Sequence, residues 1–168
     1  GVALLKEWGL LDRVLASNCP PISTITFDMG VLTLTGMPEG AVNLAPRHGI
    51  LDKILADAAV EAGVELREGF LVQEILMDGE RVTGIRGHGP DGLQATEHAH
   101  IVIGADGLHS LVAQAVHAPE YHTKEPLTCS YFTYFDDLPT DKISLYMRGA
   151  HFIVVFPTND NKTCVGIQ

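Results

Sequence analysis

The sequence predicts a mixed α/β chain in two parts, one combining helices with strands and one built from successive strands. Three observations carry this. Ile50, Leu51, Ile54, Leu55, Ala58, Ala59 and Ala62 recur at helical spacing and stop at Gly63, the pattern of an amphipathic helix with a glycine end. Ile101-Val102-Ile103-Gly104-Ala105-Asp106-Gly107 reads as an apolar strand entering a tight turn, with a helix-like segment over 111–117 behind it. Beyond residue 127, strand patterns follow one another without a helix between them.

The remaining elements follow in order. Leu4, Leu5, Trp8, Leu11 and Leu15 predict one helix over 2–16, ended by Asn18 and two prolines. Residues 22–28 and 31–35 read as strands around Met29-Gly30, and 36–49 is a loop containing proline and glycine. After the amphipathic helix, 64–67 reads as a short strand. Residues 70–77 and 81–87 form a hairpin across Asp78-Gly79, and 93–97 pairs with its second strand. The ranges 127–135, 142–148, 152–156 and 163–167 predict antiparallel strands. The shift in pattern over 119–126 divides the chain into domains at 1–120 and 121–168.

Composition narrows the function. With 168 residues, 46% of them apolar and 19% charged, the chain is long and apolar enough to bury a core. A net charge of −10 argues against nucleic acid and anionic membrane surfaces, while nucleotide cofactors need only local donors. Cys19, Cys129 and Cys164 are odd in number and widely spaced, which predicts no disulfide framework and a cytoplasmic setting. No apolar run reaches membrane-spanning length. The chain starts at Gly1, directly in a helix-like pattern, as expected of a fragment.

Two motifs carry candidate chemistry. Gly104-Ala105-Asp106-Gly107 brings a carboxylate to the carboxyl end of a strand, the edge where open α/β sheets bind ligands. Ser110 is placed to cap the following helix, whose N–H groups attract anions. A carboxylate repels pyrophosphate, so Asp106 suits ribose hydroxyls, or fixes the turn for nearby N–H groups. Arg47, just before the amphipathic helix, has the fork of donors that suits a phosphate or a ribose oxygen. The literal G-x-G-x-x-G at Gly87-His88-Gly89-Pro90-Asp91-Gly92 contains a β-turn and leads into a strand, so it is a hairpin loop and not a dinucleotide fingerprint. His88, His98 and His100 lack partners at a recognised metal spacing, and no metal is expected.

Ile101 to Ser110 resembles the Asp-Gly motif of FAD-dependent monooxygenases of the para-hydroxybenzoate hydroxylase type. The resemblance extends to Arg47 before its helix, to Leu51-Asp52, to Ala62-Gly63-Val64 and to Val72. It implies a partial FAD/NAD(P)-binding Rossmann-like domain over 1–120, with inserted strands. Part of an antiparallel substrate sheet follows over 121–168. It further implies FAD contacts from Arg47, Val72, Asp106, Gly107 and Ser110, with Val72 meeting the adenine through its backbone. Ala113 stands where the family usually has arginine, a change tolerated in geranylgeranyl-reductase-like flavoproteins. The family's N-terminal glycine loop and its later Gly-Asp motif have no counterpart here, so the resemblance is to the middle of the pattern.

The expectation is therefore a fragment of an FAD-dependent oxidoreductase that takes reducing equivalents from NAD(P)H. It would act on a small organic substrate by oxygenation or by double-bond reduction. A module of the same shape that binds no flavin is the competing reading. Of the crowded aromatic strand, Tyr131 and Phe135 take one face with Thr133, and Phe132 and Tyr134 the other. One of these faces is expected to line the substrate site. Neither a catalytic acid or base nor an oligomeric state is assigned.

Overall fold

In chain order the computed structural model contains α1 (Val2–Glu7), α2 (Leu11–Ala16), β1 (Ile25–Asp28), β2 (Thr33–Gly36), α3 (His48–Glu61), β3 (Leu71–Asp78), β4 (Arg81–His88), β5 (Gln94–His98), α4 (Leu111–Ala115), β6 (Tyr131–Phe135), β7 (Ile143–Arg148), β8 (His151–Pro157) and β9 (Thr163–Ile167). The structure describes residues 1–37 and 40–168, so positions 38 and 39 of the expected 36–49 loop lie outside the described residues. Two units form. The first comprises Gly1–Val64 and Pro126–Gln168, the second Glu65–Glu125.

In the first unit, the expected single helix over 2–16 is two. Gly9, at φ +71°, ends α1 with Gly9 N–H donating to the Lys6 carbonyl and Leu10 N–H to the Leu5 carbonyl. That is a glycine-terminated cap, and it rotates the apolar face beyond it. Leu5, Leu10, Val14 and Cys19 consequently form the buried cluster, while Trp8 is 57% exposed. Leu51, Ile54, Leu55 and Ala58 of α3 pack against this cluster, as the amphipathic pattern predicts. Gly63, at φ +95°, closes α3 through a second cap of the same kind, with Val64 N–H bonded to the Ala59 carbonyl. Arg13 of α2 makes two hydrogen bonds to Glu61 of α3, at 3.0 and 2.5 Å.

The same unit holds a six-stranded sheet in the order β2-β1-β7-β8-β9-β6. β1 runs parallel to β7 and all other neighbours are antiparallel. The late strands are thus not laid down in chain order, because β6 pairs with β9 instead of β7. Arg148 at the end of β7 grips Asp28 at the end of β1, with Nη1 and Nη2 donating to the carboxylate at 3.1 and 2.8 Å. The Arg148 hydrogen bonds, helped by Gly30 N–H, hold the Asp28 carboxyl below the usual carboxylate range. A depressed folded-state pKa stabilises the fold above the unfolded value, near ~4, and that contribution disappears as pH falls through the lower folded value. Asp28→Asn is expected to remove this share of the acid destabilisation. Urea midpoints followed from neutral pH downward should therefore converge with those of the parent chain at low pH.

In the second unit, β3, β4 and β5 form an antiparallel meander. Gly79, at φ +58°, makes the predicted hairpin turn. The Gly89–Gly92 loop is a β-turn, with Gly92 N–H bonded to the Gly89 carbonyl and Leu93 N–H to the Asp91 carboxylate. The G-x-G-x-x-G match is therefore a hairpin loop. Arg67 bridges Glu65 and Glu97, and residues 64–67 join no strand ladder, unlike the expected strand. Residues 101–104 likewise join no ladder, although their pattern is that of a strand. An apolar β-branched run selects extended backbone, but a ladder also needs a neighbouring strand. Ile101 and Ile103 remain 78% and 84% exposed.

Candidate cofactor and substrate cavities

Each unit contains one cavity bearing on function. In the second unit, residues 102–112 and the β3–β4 hairpin enclose about 500 Å³, with Val72, Ile75, Ile85 and Ile103 as apolar walls and Asp106 among the lining residues. Close packing shapes this site. A Cβ on Gly104 would lie 2.6 Å from Val112 Cβ, so only glycine lets residues 102–105 approach α4 this closely.

Asp106 is committed to its own turn. Its Oδ1 accepts the Ser110 hydroxyl at 2.6 Å, and its Oδ2 accepts Leu111 N–H at 2.6 Å and Val112 N–H at 3.3 Å. Ser110 Oγ in turn accepts Ala113 N–H at 3.0 Å, the predicted cap. The Ser110 bond and these backbone donors hold Asp106 ionised, below the usual carboxylate range. The first-turn N–H groups of α4 are thus occupied by an internal carboxylate and a hydroxyl. They are not the open anion site that the sequence suggests. Gly107, at φ +77°, supplies the left-handed residue of the turn.

In the first unit, a cavity of about 530 Å³ lies between one face of the sheet and the 44–51 segment. Strand register builds its floor. Val154, Gly166 and Phe132 form one cross-strand row, and Phe156, Cys164 and Tyr134 the next. Phe132 and Tyr134 meet edge to face, with centroids 6.0 Å apart. Of the two aromatic faces of β6, the Phe132–Tyr134 face therefore supplies most of the wall, with Tyr131 at its margin. Gly166 lowers the floor, since a Cβ there would stand 3.0 Å from Val154 Cγ1. Burial pushes the Cys164 thiol pKa up, so it lines the wall as a neutral group.

Arg47 and His48 stand at the rim, where α3 begins. The Arg47 backbone N–H donates to Asn159 Oδ1 at 2.8 Å, and its guanidinium lies 3.5 Å from the Asp160 carboxylate. Asn159 is fully buried and also donates to the Ser17 carbonyl and hydroxyl, at 2.7 and 2.9 Å. Thr158, equally buried, donates to the Ala45 carbonyl at 2.6 Å. Sequence reasoning attached no chemistry to this turn. Its signal was a Thr-Asn-Asp run between two apolar strands, where buried polar side chains demand partners.

Val72 and Asp106 thus line one cavity, with Gly107 and Ser110 in the same turn, while Arg47 belongs to the other unit. Among the described residues, no three His, Cys, Asp or Glu side chains gather as metal ligands, and no helix is long and apolar enough to cross a membrane.

The profile of the FAD binding domain family matches residues 2–168, and the chain belongs to that family. Digeranylgeranylglycerophospholipid reductase 1 of Methanopyrus kandleri is 30% identical over 124 residues, which cover 70% of this chain and 33% of that protein. The chain spans about a third of the length of the curated relatives it matches. PqsL of Pseudomonas aeruginosa, described as a probable FAD-dependent monooxygenase, superposes with a TM-score of 0.80 at 14% identity, covering 99% of this chain and 47% of PqsL. The myxobacterial chondrochloren halogenase CndH superposes with a TM-score of 0.77 at 21% identity, covering 97% of this chain and 40% of CndH. The residue types fit such a cofactor. The second unit offers an apolar cavity with a carboxylate among its lining residues, and the first an arginine at an aromatic-lined cavity.

Proposed function

We propose that this chain is the central part of a cytoplasmic FAD-dependent monooxygenase that draws on NAD(P)H and acts on a small organic substrate. The observation that carries the reading is the apolar cavity shared by Val72 and Asp106, two residues that the family pattern assigns to one cofactor. Residues 1–120 supply the cofactor-binding part with its inserted strands, and 121–168 the part of the substrate sheet that β1 and β2 complete.

In this reading the apolar side chains of this cavity and the backbone of Val72 would hold the adenine. Asp106 Oδ1, which accepts only the Ser110 hydroxyl, keeps a lone pair for a ribose hydroxyl, whereas Oδ2 already accepts two N–H groups. Gly107 lets the backbone approach the cofactor, and Ser110 holds the Asp106 carboxylate in place. Arg47 offers its guanidinium to a phosphate. The cavity on the sheet would take the organic substrate, with Phe132, Tyr134 and Phe156 as its apolar wall. When bound, FAD supplies the redox chemistry, accepting hydride from NAD(P)H and passing the electrons onward.

A flavin-dependent double-bond reductase is the second reading, favoured by the match to digeranylgeranylglycerophospholipid reductases and by Ala113 in place of arginine. The test adds FAD to this chain and to a version extended to the length of its relatives. Weak or no flavin absorbance is expected to co-purify with the 168 residues, and a stoichiometric amount with the extended chain. In the extended chain, Asp106→Ala should slow NAD(P)H-driven flavin reduction. Since Asp106 also holds the start of α4, Asp106→Asn is the necessary companion. An extended chain that stays colourless sinks the flavoenzyme reading, leaving a module that binds no flavin. Oxygen consumption coupled to substrate, against anaerobic saturation of a double bond, separates the two enzyme readings.

A further inference from the structure

Three consecutive residues of the β8–β9 turn act on the segment that enters α3. Thr158 fixes the Ala45 carbonyl and Asn159 fixes the Arg47 N–H, both from fully buried positions. Asn159 is itself braced by Ser17, whose hydroxyl donates onward to the Val14 carbonyl at 2.7 Å. The backbone of Arg47 is therefore held by a closed network of short hydrogen bonds. Its side chain is held differently.

Every other ion pair among the described residues carries a hydrogen bond, as in Arg13–Glu61 and Arg148–Asp28. The Arg47–Asp160 pair is the longest of the set at 3.5 Å, and no hydrogen bond joins its side chains. Both are substantially solvated, at 35% and 50% exposure, where water weakens the attraction. Yet the backbone places this carboxylate at a conformational cost. Asp160 and Asn161 take consecutive left-handed conformations, with φ of +61° and +56° and no glycine to relieve them. A strained turn thus delivers a carboxylate to Arg47 without locking it there.

We infer that the Thr158–Asn159–Asp160 turn is a positioning device for Arg47. In it, Thr158 and Asn159 fix the arginine backbone, and Asp160 is a loosely held counter-ion that a phosphate-bearing ligand displaces. This rests on the proposed reading of Arg47 as an anion-binding residue. The consequence is a tuned affinity. Asp160 keeps Arg47 ordered when no ligand is bound, and its charge repels an incoming phosphate. Because the turn joins β8 to β9, the strands that carry Phe156 and Cys164, it also sets the arginine in register with the cavity floor.

The test titrates this chain with inorganic pyrophosphate at low salt, comparing the parent, D160N, R47A and the double variant. It also records the Arg47 Nε–Hε signal by NMR without ligand. D160N is expected to bind pyrophosphate roughly threefold to tenfold more tightly, a gain that shrinks as salt rises. That gain should vanish in the R47A background, the mark of direct coupling. Without ligand, the Arg47 Nε–Hε group should become more mobile in D160N. Equal binding by the parent and D160N overturns the inference, and so does an equal gain with and without Arg47. If R47A binds as well as the parent, the anion-binding reading of Arg47 falls instead. The ligand-free signal then decides the counter-ion role on its own, and an unchanged mobility in D160N rejects it.

Discussion

Asn159→Leu is expected to lower the stability of the first unit by about 2–5 kcal/mol, from the usual cost of orphaning two buried backbone groups. The side chain is 0% exposed and makes three hydrogen bonds, to Arg47 N–H and to the carbonyl and hydroxyl of Ser17. Leucine keeps the branched skeleton with bulkier methyl groups, so it leaves water no room to take over these bonds. Asn159→Ala should cost less, because a water molecule fits the space that the amide vacates and meets the same polar atoms. The ordering of the two variants is the sharp part of the prediction. Urea denaturation gives the free energies, and amide exchange at Arg47 locates the loss. A leucine variant as stable as the parent would mean that the buried network contributes nothing.

Gly87→Ala is expected to break the register of the β3–β4 hairpin. A Cβ at Gly87 would stand 2.2 Å from the Leu71 carbonyl oxygen and 2.8 Å from Phe70 Cε1. The first is backbone, which retreats only by giving up ladder bonds. Overpacking typically costs about 1–3 kcal/mol, and a backbone clash belongs at the upper end. Gly87 faces Val72 across the ladder, so the same change displaces a wall of the second unit's cavity. Gly79→Ala provides the contrast, since a Cβ there meets nothing within 4 Å and only its φ of +58° is penalised. Loss of exchange protection along β3 and β4 in the Gly87 variant, and not in the Gly79 variant, is the expected result. Equal protection in both would falsify the close approach.

The two predictions divide along what a sequence exposes. The β3–β4 hairpin and α3 were legible because their determinants are local. Asp78-Gly79 makes a turn whatever lies elsewhere, and seven apolar residues ending at Gly63 define a helix face within fourteen positions. Arg47, Val72, Asp106, Gly107 and Ser110 could be singled out because a family pattern recurs in order along the chain. The Thr158–Asn159–Asp160 segment reads in the sequence as a turn like one that recurs in the family, with no chemistry attached. Its partners lie 112 and 142 positions away for Asn159, and 113 for Thr158. Nothing in a tetrapeptide announces contacts at that range.

The errors have the same origin. The run over 2–16 has a helical period, but Gly9 affords a cap that competes with continuing the helix, and packing of Leu10 and Val14 decides for the cap. The runs over 64–67 and 101–104 have strand character, but that pattern says nothing about a neighbour, and neither run joins a ladder. β6 sits beside β9, and β1 beside β7, in ladders between segments far apart in the chain that no local pattern announces.

The sequence by itself therefore determined α3, the β3–β4 hairpin, the Ser110 cap of α4, and the family. Only the tertiary structure decided that Asp106 occupies the α4 N–H groups, that the Phe132–Tyr134 face lines a cavity, and that Asn159 and Asp160 stand against Arg47. The reason is physical. Period, capping and turn preference act over a few residues, whereas burial, register and hydrogen-bond closure depend on groups far apart in the chain.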